Sequence, residues 1–207
     1  MSTATKLSFL HRFEPAAAAG RRPLLLLHGT GGDETDLLPL GRAIAPGAAL
    51  LSPRGLVLEN GMPRFFRRLR EGVFDEADVI RRANDLADFV EAARETYGIE
   101  QPLALGFSNG ANIAAAMLML RPEALAGAAL VRAMVPLKEP PRGALEGKPV
   151  LILSGAMDPI VPAANSADLA RQLGAAGADV QHVTVPAGHN LTAADLRALT
   201  SWFERVA

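Results

Sequence analysis

Short runs dominated by apolar residues, Leu24 to Leu27, Pro102 to Phe107, Ala126 to Val135 and Val150 to Leu153, recur between helix-like stretches. A run that does not alternate polar and apolar residues reads as a strand buried on both faces. That is the pattern of a parallel sheet covered by helices. Between the runs, Asn109 to Leu120 and Ala163 to Leu173 read as helices, and Thr192 to Val206 closes the chain as another. The alternation predicts an α/β fold, an open and mostly parallel sheet with helices on both faces.

The remaining punctuation agrees. Lys6 to Phe13 reads as an edge strand, Ala48 to Leu51 as a short strand and Ala178 to Val185 as a late one. Asp33 or Thr35 is suited to cap a helix running to about Ala45. Asp75 is suited to the N-cap of the clearest helix, with Val79, Ile80, Leu86, Phe89, Val90 and Ala93 as its apolar stripe and Gly98 as its C-cap. Thr192 caps the last helix, with Asp195 at the third helical position. Leu56 to Asp75 reads as irregular, and a loop of about 20 residues inside a compact domain is often functional.

The 207 residues fit a single domain, 1–207, with no linker or internal repeat. Folding at this length buries roughly 70% of the unfolded surface, so metals and disulfides are not needed for stability. Net charge is −1 and Arg64, Arg67, Arg68 and Arg70 are offset by acids just downstream, which argues against a nucleic-acid partner. The absence of cysteine excludes thiol catalysis and thiolate metal sites. His11 and Arg12 interrupt the first apolar stretch, so it does not serve as a signal-peptide core. The run Ala111 to Leu120 is far short of the roughly 20 residues that span a bilayer. The expectation is a soluble cytoplasmic protein without membrane insertion.

Gly106-Phe107-Ser108-Asn109-Gly110 has the form G-x-S-x-G, placed between an apolar strand and an alanine-rich helix. A nucleophile must stand clear of the sheet, which requires a tight, strained turn and small neighbours. The helix start beneath Ser108 also favours developing negative charge. Serine needs a base, and the base needs a third group to hold its tautomer. Serines on such turns are followed in the chain by the acid and then the histidine. Of four histidines only His182 and His189 follow Ser108, and His182 lies within a strand, where its role is structural. His189 sits in the turn Pro186 to Asn190, where it is able to reach over the carboxyl edge of the sheet. Among the intervening aspartates, Asp168 and Asp179 read as solvated, whereas Asp158 follows the buried run VLILSG on a loop at a strand's carboxyl end. The expected triad is Ser108, His189 and Asp158.

Two donors must face the oxyanion of the tetrahedral intermediate. The N–H of Asn109 is one, and the N–H of Thr30 in the loop His28-Gly29-Thr30-Gly31-Gly32 is the other. That loop lacks both nucleotide-binding glycine patterns. His28 is expected to support it rather than react.

HGTGGDE, SPRG, ENGMPRFF, GFSNGANIAA, GAMDPIVP and AGHNL follow in this order. Together they resemble the small bacterial carboxylesterases of the phospholipase/carboxylesterase family, over nearly the whole chain. Within it the sequence is most similar to predicted esterases grouped with the hydroquinone-resistance hydrolases. The resemblance implies the α/β-hydrolase fold without a large lid domain, no metal and no organic cofactor. It further implies small or medium acyl ester substrates and frequent homodimerisation. The segment Leu56 to Asp75 then walls the pocket, with Phe65 and Phe66 as apolar contacts, Arg64 or Glu59 facing a polar substituent, and Met134 bordering from a neighbouring strand. The alternative is that both phenylalanines are core and the arginines solvated. A thioesterase or lysophospholipase for longer chains, a peptidase, and a non-catalytic binding module on the same scaffold stay open.

Overall fold

The computed structural model describes residues 7–139 and 145–206. Its elements, in order, are β1 (His11–Glu14), β2 (Leu24–Leu27), α1 (Leu38–Ile44), β3 (Leu50–Pro53), β4 (Val57–Glu59), β5 (Met62–Arg64), β6 (Arg68–Arg70) and β7 (Val73–Phe74). They continue with α2 (Glu76–Tyr97), β8 (Leu103–Phe107), α3 (Asn109–Leu120), β9 (Gly127–Val131), β10 (Pro149–Gly155), α4 (Ala163–Ala175), β11 (Asp179–Val185) and α5 (Ala193–Val206). Seven strands form the main sheet in the order β1-β3-β2-β8-β9-β10-β11, and all of its neighbours pair in parallel except β1 with β3.

Alternate residues of each central strand feed opposite faces, which is why these strands are apolar almost throughout. Leu25, Leu27, Ala104, Leu130 and Ile152 pack with residues of α2, α3 and α4. Leu24, Leu26, Leu105, Val131 and Leu153 pack with α1 and α5 through Leu38, Ile44, Leu199, Trp202 and Phe203. Leu24 to Leu27 are wholly buried, each side chain contributing about 1.5–3 kcal/mol by leaving water. Helix α3 is apolar on every side apart from Asn109 and Asn112, and every residue from Asn109 to Met119 is buried. The edge strand β11 keeps most of its side chains exposed, His182 among them, and its Nε2 meets Ser154 Oγ at 2.9 Å.

Helix α2 begins and ends as its sequence predicts. Asp75 accepts the Asp78 N–H and Gly98 takes the left-handed conformation at φ 64°. Other boundaries differ. Helix α1 starts only at Leu38, because the Asp33 carboxylate is engaged by the N–H and hydroxyl of Thr35 in a local turn. The expected edge strand begins at His11, and its first residue, Lys6, lies outside the described residues. The stretch 56–75 is not irregular but holds two small antiparallel hairpins, β4-β5 and β6-β7. The first turns at Asn60-Gly61, both with positive φ (51° and 80°), the two-residue geometry that matches strand twist. Glu59 braces the pair by accepting from Arg64 at 2.8 Å and Arg68 at 2.9 Å. Strand β9 stops at Val131, because Arg132 turns left-handed (φ 57°), so Met134 lies beyond the strand rather than on it. Among the described residues no helix is long and apolar enough to cross a membrane.

Candidate active site

Ser108 stands between β8 and α3 at φ 52° and ψ −111°, a backbone that costs a non-glycine residue of order 1–3 kcal/mol. Glycines make the turn possible. A Cβ on Gly106 would lie 2.5 Å from the Gly110 carbonyl oxygen, and one on Gly110 only 2.0 Å from that of Leu27. The turn is tied down by the Ser108 N–H donating to Val131 O at 2.8 Å. Asn109 Oδ1 also accepts the Phe65 N–H at 2.8 Å, linking the turn to the first hairpin.

The acid and the histidine come from the loops after β10 and β11. Asp158 Oδ1 accepts the N–H groups of Ile160 (2.8 Å) and Val161 (3.1 Å), which leaves Oδ2 for His189 Nδ1 at 2.9 Å. His189 Nε2 lies 3.0 Å from Ser108 Oγ. A carboxylate only accepts, so Nδ1 carries the imidazole proton and Nε2 offers its lone pair to the serine hydroxyl. The three sequence-expected residues, 50 and 31 positions apart along the chain, therefore share one hydrogen-bonded line. Gly155 is what lets the two loops meet, since a Cβ there would sit 2.4 Å from Gly188 O.

Burial would push the Asp158 carboxyl up, but the Ile160 N–H, His189 and the Val161 N–H together outweigh it and hold it below the ordinary aspartate range. A folded-state pKa below the unfolded one means that the ionised group stabilises the fold above about pH 4. That contribution is lost as pH falls through the lowered value. The stability gap between wild type and Asp158→Asn is therefore expected to be constant at neutral pH and to narrow below about pH 4, as urea unfolding at several pH values will show.

The loop after β2 faces the serine. His28 is buried; its Nδ1 donates to Gly29 O at 2.7 Å and its Nε2 accepts the Gly55 N–H at 3.0 Å. Burial keeps its pKa below the ordinary histidine value, with the Gly29 hydrogen bond only partly offsetting it. His28 thus fixes the loop and does not approach Ser108. Thr30 lines the same cleft as Ser108 and Asn109.

A family profile described as alpha/beta hydrolase fold matches residues 52–145. MhqD of Bacillus subtilis (strain 168), a hydrolase by its name, is 46% identical over 183 residues, 87% of this chain and 92% of that one. The chain belongs to the α/β-hydrolase family. Solved relatives agree with this hydrolase in shape. The Bacillus cereus carboxylesterase is 43% identical, with a TM-score of 0.95 over 98% of this chain and 96% of that one. The Mesorhizobium loti carboxylesterase is 33% identical, with a TM-score of 0.91 over 97% and 96%.

The hydrolase's cleft at Ser108 is small, about 40 Å³, against several hundred for a drug-sized site. Its walls include Arg64, Arg68, Phe74, Met134, Ile160 and Val161. Met134 and Arg64 border it, but Arg64 is buried and already bonded to Glu59 and to Phe66 O. Phe65 and Phe66 are not on the wall; both are buried core residues. Phe66 instead packs edge-on against Phe74, at 5.0 Å between ring centres, and it is Phe74 that faces the cleft. A larger cavity of about 510 Å³ opens among Ala16 to Pro23 and Gly98 to Glu100, at the amino ends of β2 and β8, far from Ser108. Among the described residues no three His, Asp or Glu side chains group as metal ligands.

Sequence reasoning missed Arg132, which is buried at the cleft floor and reaches toward the histidine turn. The available signal was a lone arginine inside the apolar run GAALVRAMV, since a buried guanidinium demands a partner.

Proposed function

We propose that this α/β-hydrolase is a serine carboxylesterase that hydrolyses small to medium acyl esters through an acyl-enzyme intermediate. The observation that carries the reading is the pair of contacts at His189, 3.0 Å to Ser108 Oγ and 2.9 Å to Asp158 Oδ2. His189 takes the Ser108 proton as Oγ bonds to the ester carbonyl carbon, and Asp158 stabilises the imidazolium. The N–H groups of Asn109 and Thr30 receive the oxyanion; the first N–H groups of a helix such as α3 lack intrahelical partners and are oriented for an anion. The carbon–oxygen bond to the alcohol then breaks, the alcohol leaving with the proton from His189. Water, deprotonated by the same imidazole, releases the acid and restores Ser108.

The size of the cleft supports a short acyl group. Across p-nitrophenyl acetate, butyrate and dodecanoate, kcat/KM is expected to fall by about tenfold or more at the longest chain, several methylenes exceeding what the walls enclose. The reverse trend would favour the long-chain thioesterase or lysophospholipase reading. One observation lends that reading weight: Ile160 and Met62 are exposed apolar residues beside the cleft and beside Gly31. Asp158→Asn is expected to lower kcat by about 10⁴-fold with little change in KM, because the wrong histidine tautomer is then favoured.

A further inference from the structure

We propose that Arg132 is the positioning residue for the catalytic histidine, gripping the backbone on both sides of His189. The inference rests on the serine-esterase reading above. A guanidinium carries five N–H donors in a rigid fork, and here all five find acceptors. Nε donates to Gly188 O at 2.8 Å and one Nη2 proton to Asn190 O at 3.3 Å, the two carbonyls that flank His189. One Nη1 proton goes to Leu153 O near the end of β10, at 3.3 Å. The remaining two form a two-pronged pair with Asp195, at 2.8 and 2.9 Å.

The anchor is itself fixed. Asp195 lies in the first turn of α5 and also accepts the Thr192 N–H (2.9 Å) and hydroxyl (2.8 Å). Both side chains of the pair are essentially sealed from solvent, at 0% and 1% exposure. The left-handed backbone of Arg132, φ 57°, ends β9 and is strained for a residue with a side chain. Such strain persists where the surroundings over-determine it. Nε also lies 4.0 Å from Asp158 Oδ2, an ion-pair distance without a hydrogen bond. The directional contacts thus go to the turn that carries His189 while the charge faces the carboxylate, and only a variant that keeps the charge separates the two. The ring itself, 18% exposed, is oriented by Asp158, Ser108 and the Phe107 ring at 5.4 Å, whereas the backbone that carries it is held by the guanidinium.

A displacement of about 1 Å in a catalytic group can cost roughly 10²-fold in rate. Removing the guanidinium alone would strand the Asp195 charge and destabilise the fold, confusing the two roles. An apolar exchange of both partners of a buried ion pair is often tolerated. The test therefore compares Arg132→Met, the double variant Arg132→Met/Asp195→Leu, and Arg132→Lys, by thermal melt and by p-nitrophenyl acetate kinetics. A positioning role predicts that the double variant melts well above Arg132→Met yet keeps kcat about 10²-fold below wild type, with KM within about threefold. Arg132→Lys, which keeps the charge but lacks the fork, is expected to fold and to lose about tenfold or more in kcat. Should either of these two variants turn over within about threefold of wild type, the grip is not what positions His189. Should neither fold, Arg132 serves the scaffold as a whole and the proposal is overturned. Ser108→Ala in the same assay separates the premises: turnover that survives it removes the serine reading itself, whatever the Arg132 variants do.

Discussion

Ser108→Ala is expected to lower kcat on p-nitrophenyl acetate by on the order of 10⁶-fold, leaving only what binding and the oxyanion donors supply. No other group in the cleft replaces the hydroxyl, because His189 Nε2 is aimed at Ser108 Oγ. Stability should hardly change. Alanine keeps the Cβ and so the left-handed strain at φ 52°, and the variant loses one partly buried hydrogen bond worth about 1 kcal/mol. At this chain length that corresponds to about 2–4 °C in Tm. Ser108→Gly should be equally inactive but melt above Ser108→Ala, since glycine adopts this backbone freely. Kinetics and differential scanning calorimetry on the two variants test both statements.

Gly110→Ala should produce the largest loss of stability among the glycine substitutions of the nucleophile turn. The added methyl would meet Leu27 O at 2.0 Å, Leu27 C at 2.4 Å and His28 O at 2.6 Å. All three are backbone atoms of a central strand and the loop that follows it, so no side chain is free to rotate away. Overpacking of a core usually costs 1–3 kcal/mol, and a clash against immovable backbone puts this case at about 3 kcal/mol or more. That is a fall in Tm of roughly 6–12 °C, or failure to fold. Gly174→Ala is the control. Gly174 lies in α4 with nothing within 4 Å of an added Cβ, so alanine there should stabilise by about 0.5–1 kcal/mol. If both variants melt alike, steric exclusion at Gly110 is not what selects glycine.

The parallel sheet was legible because its strands are buried on both faces. Leu24 to Leu27 and Val150 to Leu153 need no polar positions, and a run without alternation admits few other readings. The three residues that the structure brings into one hydrogen-bonded line could be picked out because each follows a strand at its carboxyl end, and because only two histidines come after Ser108. What stayed hidden was set by contacts between distant segments. The hairpins of 57–74 are made of strands of two or three residues, stabilised by Glu59 with Arg64 and Arg68 rather than by a periodic apolar pattern. Asn60-Gly61 carried the one local signal for them. Phe65 and Phe66 appeared as pocket walls because apolar residues in a loop suggest a binding surface, yet the hairpins fold them inward and leave Phe74 at the cleft. Arg132 stood out as a lone arginine in an apolar run, but its partner Asp195 was hidden, being 63 residues away.

The central claim is that Ser108 is made nucleophilic by His189. Incubation with a fluorophosphonate, followed by peptide mass spectrometry, tests it directly. The expected result is a single phosphonyl adduct on Ser108 that disappears in His189→Ala. An adduct on a different serine, or none in a preparation that still hydrolyses p-nitrophenyl acetate, would contradict the account.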